Sequence, residues 1–122
     1  MHGKGSLYYS KGSLAYEGGW YMDTFHGKGR IYNDSPLALN SDQQIDYRHL
    51  SNKTIDDYWY IYEGDFFFEQ KHGKGKVKLS NGEAYVGEWN EDYIHGKGKF
   101  YRLNGEVIQG KWEHGELVEE NV

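Results

Sequence analysis

From Lys76 to Leu79 charged and apolar residues alternate, and from Ala84 to Trp89 a second alternating run puts Tyr85, Gly87 and Trp89 on one face. A period of two is the pattern of a half-buried β-strand. Between the runs stands Ser80-Asn81-Gly82-Glu83, and Asn-Gly is a strong hairpin signal because both residues tolerate positive φ. The stretch therefore predicts a β-hairpin, with His72-Gly73-Lys74-Gly75 as a loop in front of it.

The same unit recurs. His-Gly-Lys-Gly occurs at residues 2–5, 26–29, 72–75 and 95–98, at spacings of 24, 46 and 23, so the middle gap holds two periods. Six residues before His26, His72 and His95 stand Trp20, Phe66 and Trp89, each preceded by a Tyr-x-Gly lead: Tyr16/Gly18, Tyr62/Gly64 and Tyr85/Gly87. A further copy opens at Ile108-Gln109-Gly110-Lys111-Trp112 and stops at Gly115. Turn glycines Gly12, Gly82 and Gly105 fall ten residues after His2, His72 and His95. Fixed offsets over a period of this length mark a repeat architecture.

Tyr-x-Gly-x-Trp followed by His-Gly-x-Gly at a 23-residue period resembles the MORN repeat (membrane occupation and recognition nexus). The resemblance covers residues 2–32 and 60–115, with Phe66 in place of tryptophan and Ile108 in place of tyrosine. It implies an all-β fold, an elongated single-layer antiparallel sheet of successive hairpins over residues 1–116. The repeats fall at about 1–14, 15–61, 62–84 and 85–107, with a partial one at 108–116. Residues 117–122 read as an acidic tail, with Leu117 and Val118 capping the last strand. An opening inside a repeat, at Met1-His2-Gly3, is expected of a piece of a longer protein.

Two irregularities stand out. The first hairpin carries one extra residue between turn glycine and tyrosine, which predicts a bulge or a wider turn. The second carries an insertion at 33–59, since His26 to Tyr62 is 36 residues where His72 to Tyr85 is 13, a difference of 23. Its start is polar and turn-forming (Asn33, Asp34, Ser35, Pro36, Asn40, Ser41, Asp42). An excursion and a degenerate repeat both fit its length; no Tyr-x-Gly-x-Trp precedes His49, which favours a partly disordered excursion with a short helical turn near Gln43–His49. The aromatics of Tyr58–Tyr62 predict that it folds back over one sheet face.

Indexed from each histidine, Leu7, Ile31, Val77 and Phe100 share the packed face with the tyrosine and tryptophan columns. Ser6, Arg30, Lys76 and Lys99, then Tyr8, Tyr32, Lys78 and Tyr101, lie on the other. There, basic outgoing strands sit beside Glu17, Glu63, Asp65 and Glu88 of the return strands, giving solvated ion pairs of ~0.2–1 kcal/mol each. The sharper reading is a tyrosine ladder that receives a partner's side chains, tyrosine offering rigid area with a polar tip.

Composition narrows the function. Twelve Tyr, four Trp and five Phe with 17 Gly, one Pro and a mean hydropathy of −0.93 fit twisted strands and tight turns rather than disorder. No cysteine excludes a disulfide framework and makes an intracellular, cytoplasmic setting the easier expectation, peripheral to membrane or cytoskeleton if the resemblance holds. A net charge of −5 argues against nucleic acid as a partner.

The histidines invite a metal reading that geometry opposes. Equivalent residues of adjacent hairpins are two strands, ~9–10 Å, apart. Ligands of one zinc ion hold their nitrogens within about 3–4 Å of each other. The expected role of His26, His72 and His95 is packing and hydrogen bonding at the strand entry. The Gly-Lys-Gly pieces lack the helix of a phosphate loop. Lys4, Lys28, Lys74 and Lys97 form a row at ~10 Å intervals along one edge that suits an anionic lipid surface or an acidic peptide. No catalytic pattern and no cofactor motif is present.

The expected function is a non-catalytic interaction scaffold that docks a partner segment on a concave aromatic surface, apolar groups against Tyr8, Tyr32 and Tyr101 and charges on Arg30, Lys76 and Lys99. Tyr16, Gly18, Trp20, His26, Tyr62, Gly64, Phe66, His72, Tyr85, Gly87, Trp89, His95, Gly110 and Trp112 are assigned to the repeat itself. Two alternatives stay open: an anionic phospholipid-targeting module, and an accessory domain of the kind attached to phosphoinositide kinases and lysine methyltransferases. The unpaired sheet edge also allows edge-to-edge self-association.

Overall fold

The computed structural model describes residues 2–34, 36–37 and 44–120. Among them run strands β1 (Gly3–Tyr8), β2 (Leu14–Tyr21), β3 (Thr24–Tyr32), β4 (Trp59–Phe67), β5 (Gln70–Leu79), β6 (Ala84–Asn90), β7 (Tyr93–Tyr101), β8 (Val107–Glu113) and β9 (Glu116–Glu120). One helix, α1 (Asn52–Tyr58), lies between β3 and β4. The strands pair in chain order into a single open nine-stranded antiparallel sheet. The acidic tail is a correction to expectation: Glu116–Glu120 is an edge strand, with Leu117 opposite Trp112.

The turns alternate in kind. On one edge Met22-Asp23, Phe68-Glu69, Glu91-Asp92 and His114-Gly115 connect strands with both residues at positive φ, the two-residue hairpin geometry that matches strand twist. None of these pairs is an Asn-Gly. On the other edge Gly12, Gly82 and Gly105 alone turn left-handed, closing three-residue loops. At Gly82 the N–H donates to the Leu79 carbonyl (3.0 Å), and the Leu79 N–H donates to that of Glu83 (2.8 Å). Asn81 serves through its side chain instead, its Oδ1 accepting from the Glu83 N–H at 2.9 Å. The Asn-Gly hairpin therefore forms where expected but by a different turn. His-Gly-Lys-Gly is not a loop either, since His26, His72 and His95 lie inside β3, β5 and β7. The bulge expected in the first hairpin is present between Leu7 and Tyr8.

The repeat spacing has a local cause. Glycines face one another across eight strands: Gly5, Gly18, Gly29, Gly64, Gly75, Gly87, Gly98 and Gly110. Over this ladder lie the tyrosine rings, and a Cβ at Gly75 would stand 2.2 Å from the Tyr62 hydroxyl. Each hydroxyl donates to the carbonyl three residues on: Tyr16 to Gly19 (2.7 Å), Tyr62 to Asp65 (2.9 Å), Tyr85 to Glu88 (3.0 Å). In β2, β4 and β6 the ladder shifts register across those residues, so the tyrosine satisfies a carbonyl that strand pairing leaves out. Tryptophan or phenylalanine follows edge-on, Tyr62 meeting Phe66 at 5.1 Å and Trp89 at 5.3 Å, contacts of ~0.5–1.5 kcal/mol beyond burial.

The predicted packed face is the observed one. Tyr16, Tyr62, Val77, Tyr85, Phe100 and Trp112 are fully buried, while Leu7 at the outer strand stays 45% exposed. Toward the β7–β9 end part of that burial comes from the insertion, whose residues 44–50 lie against β7–β9 and the β5–β6 turn before the chain returns through α1. Ile45, Tyr47, Leu50 and Ile55 join the core. Trp112 Nε1 donates to the Tyr47 carbonyl (2.9 Å), Leu50 N–H to that of Gly115 (2.7 Å) and Leu117 N–H to that of Arg48 (2.9 Å). The expected helical turn sits elsewhere. Of Gln43–His49, Gln43 lies outside the described residues and the rest is not helical; the helix starts after Ser51, whose Oγ accepts from the Thr54 N–H at 3.3 Å.

Candidate functional site

With the aromatic face packed, and the insertion over its β7–β9 end, the opposite face is the more open one. The backbone of the glycine ladder is its floor, between two flanking rows of side chains that point to this face, while the rings that cover the glycines lie on the other. One row runs Ser6, Glu17, Arg30, Glu63, Lys76, Val86, Lys99, Gln109, each opposite the next. The other carries Lys4, Lys28, Asp65, Lys74, Glu88 and Lys97. Two depressions form along this trough, about 810 Å³ over β1–β4 and about 420 Å³ over β5–β8. The lysine row expected at a sheet edge is thus a correction: it walls the same trough as Arg30, Lys76 and Lys99.

The two halves differ in charge. In the first, Arg30 bridges Glu17 (3.5 Å) and Glu63, and Lys28 pairs with Asp65 at 2.9 Å. Burial pushes the Asp65 carboxyl up, but the Lys28 ammonium and the Lys74 N–H outweigh it and hold it below the usual range. In the second half Lys74, Lys97 and Lys99 face the single carboxylate of Glu88, which accepts from the Lys97 N–H at 2.6 Å, beside Val86 and Tyr101. Among the described residues Lys76 and Lys99 form no ion pair within 4.0 Å.

The tyrosine ladder is not continuous. Tyr8 is 61% exposed, the Tyr32 hydroxyl donates to Glu17 (2.9 Å), and Tyr101 lies four strands beyond Tyr32 with Lys78 between. The histidines staple turns: Nδ1 of His2, His26 and His95 accepts the N–H of Met22, Phe68 and His114 at 3.2, 3.3 and 3.2 Å. Among the described residues no group of three or more His, Asp or Glu is placed to hold a metal ion.

One half-buried and one buried charge escaped the sequence reading. Lys71 stands opposite Phe66 where Phe25, Ile94 and Leu117 stand opposite Trp20, Trp89 and Trp112. Its ammonium lies 5.8, 5.5 and 5.7 Å from the ring centres of Trp59, Tyr62 and Trp89. Burial lowers this amine below the ordinary lysine range, with Asp92 and Asp56 pulling the other way. A lysine in an otherwise apolar column was the available signal. Glu83 is the second, with no exposed surface, its Oε1 accepting from Ile45 N–H and Asn81 Nδ2, both at 2.7 Å.

Stacked hairpins, a tyrosine-on-glycine ladder and one open face define a β-repeat sheet. The chain belongs to the MORN-repeat family, whose pattern matches residues 1–14, 16–34, 62–84 and 85–107. MORN repeats are typically non-catalytic modules. Comparison with curated proteins returned no match. No helix among the described residues is long and apolar enough to cross a membrane.

Proposed function

We propose that the chain is a non-catalytic protein-interaction module that seats an extended or helical segment of a partner along the open trough. The observation that carries this is the second depression, where three lysines around one carboxylate adjoin Val86 and Tyr101. Such a surface suits a segment with carboxylates set among apolar side chains, its charges meeting Lys97 and Lys99 and its apolar groups the Val86–Tyr101 wall. A lipid headgroup array is the weaker fit, since Glu17, Glu63, Asp65 and Glu88 interleave with the basic row. The aromatic face is the weaker candidate, because its rings pack on one another and the insertion lies over its β7–β9 end.

Quantitative affinity capture with wild type and a Lys99→Glu, Tyr101→Ala variant tests the reading. A partner enriched by wild type and lost from an equally stable variant is the expected result. Equal capture by both, or flotation of wild type with anionic vesicles that the variant loses, defeats it.

A further inference from the structure

The sheet edge that carries the two-residue turns has its own chemistry, separate from the trough. Its first two turns present Tyr21, Met22, Phe67 and Phe68, which are 41%, 63%, 52% and 47% exposed. The rings form one continuous patch through the turn-stapling histidine: Phe67 to Phe68 at 4.7 Å, Phe68 to His26 at 4.9 Å, Tyr21 to His26 at 5.5 Å. The equivalent positions of the next two hairpins are Asn90-Glu91 and Glu113-His114, so the paired apolar turn residues are confined to this end of the edge, with Tyr93 (39% exposed) the exposed ring beyond them.

Turn chemistry does not ask for these residues. Met22 and Phe68 sit at φ 51° and 46°, a left-handed conformation that is unfavourable for an L side chain and favours Asn, Asp or Gly. Packing does not ask for them either, because about half of each side chain faces solvent. A large apolar side chain that is both strained and exposed is explained by contact with something outside the chain.

The surroundings select the occupant. Asp23, Glu69, Glu91, Asp92, Glu113 and Glu116 line this edge, and no lysine or arginine stands in its four turn tetrads, residues 21–24, 67–70, 90–93 and 113–116. An acidic rim repels an anionic bilayer and attracts cations around an apolar centre. We propose that the Tyr21–Thr24 and Phe67–Gln70 turns form a second docking surface, for a basic amphipathic helix of a partner protein whose apolar side chains seat on the phenylalanine pair.

The test writes the Asn90-Glu91 turn into the preceding hairpin, as Phe67→Asn with Phe68→Glu in the full chain. The probe is a synthetic helix with leucine on one face and lysine on the other, followed by chemical shifts of the isotope-labelled protein. A leucine–glutamate helix and phosphatidylcholine–phosphatidylserine vesicles run in parallel. The leucine–lysine helix is expected to move the amides of residues 21–26 and 66–70, less at high salt, and to bind the variant at least about tenfold more weakly. The variant's melting temperature is expected to match or exceed wild type. A lower melting temperature makes the rings structural and overturns the proposal. So do shifts confined to the trough, equal binding of the glutamate helix, or vesicle binding that the variant abolishes. Because the variant leaves Lys99 and Tyr101 untouched, the trough reading stands or falls separately.

Discussion

Truncating Glu83 to alanine measures what holds the insertion on the sheet. Its carboxylate is wholly enclosed and gathers three donors: Ile45 N–H at 2.7 Å, Asn81 Nδ2 at 2.7 Å and Leu103 N–H at 3.3 Å. Hydrogen bonds to a charged acceptor contribute ~1.5–3 kcal/mol each, and a buried donor left unmade costs ~1–3 kcal/mol. Ile45 N–H bears the full loss. Asn81 and Leu103 are partly exposed and recover some of theirs from water. Relief of the carboxylate's desolvation offsets a further part. The balance is a loss of about 2–4 kcal/mol, or roughly 8–15 °C in melting temperature for a chain of this size.

An internal control exists, since Asn104-Gly105-Glu106 repeats the same turn with Glu106 exposed and paired to Arg102 at 2.8 Å. Glu106→Ala should cost under about 1 kcal/mol. Urea and thermal unfolding give both values, and hydrogen exchange at the Ile45 amide reports whether the insertion has loosened. Equal destabilisation by the two substitutions, or unchanged Ile45 protection in Glu83→Ala, refutes the reasoning.

Gly75→Ala should destabilise by more than about 2 kcal/mol, because its Cβ has no space beside the Tyr62 ring; a smaller loss in urea unfolding would show that the ring can slide. Tyr62→Phe should lose about 1–2 kcal/mol by stripping the Asp65 carbonyl of its donor, with the sheet's circular dichroism unchanged. Lys71→Met should not lower stability at neutral pH. The folded state disfavours the Lys71 ammonium, so wild-type stability climbs as pH rises from the lowered folded-state value toward the ordinary 10.5, and unfolding across that window should show the climb flattened in the variant. Burial pushes the Tyr16 phenol up to about 12, so its contribution is full below pH 10 and lost as pH rises through that value; titration by phenolate absorbance should show Tyr16, Tyr62 and Tyr85 ionising last, with burial raising all three.

The amino-acid order by itself determined the beat of the hairpins, the face each strand buries and the family. Those features are local: a tyrosine two residues before a glycine and four before a tryptophan defines one strand wherever it occurs. Turn type was less legible. Asn-Gly pointed to a two-residue turn at Asn81-Gly82, whereas the two-residue turns formed at pairs such as Phe68-Glu69, where strand twist and a histidine staple override local preference. What only the tertiary structure decided is which face stays open. Residues 80–83 and 103–106 differ little in sequence and build the same turn, yet Glu83 is sealed under the insertion while Glu106 meets water. Burial depends on a segment arriving from far along the chain, and its path is set by where backbone donors such as Ile45 N–H and carbonyls such as those of Tyr47 and Gly115 find partners, which no periodicity encodes.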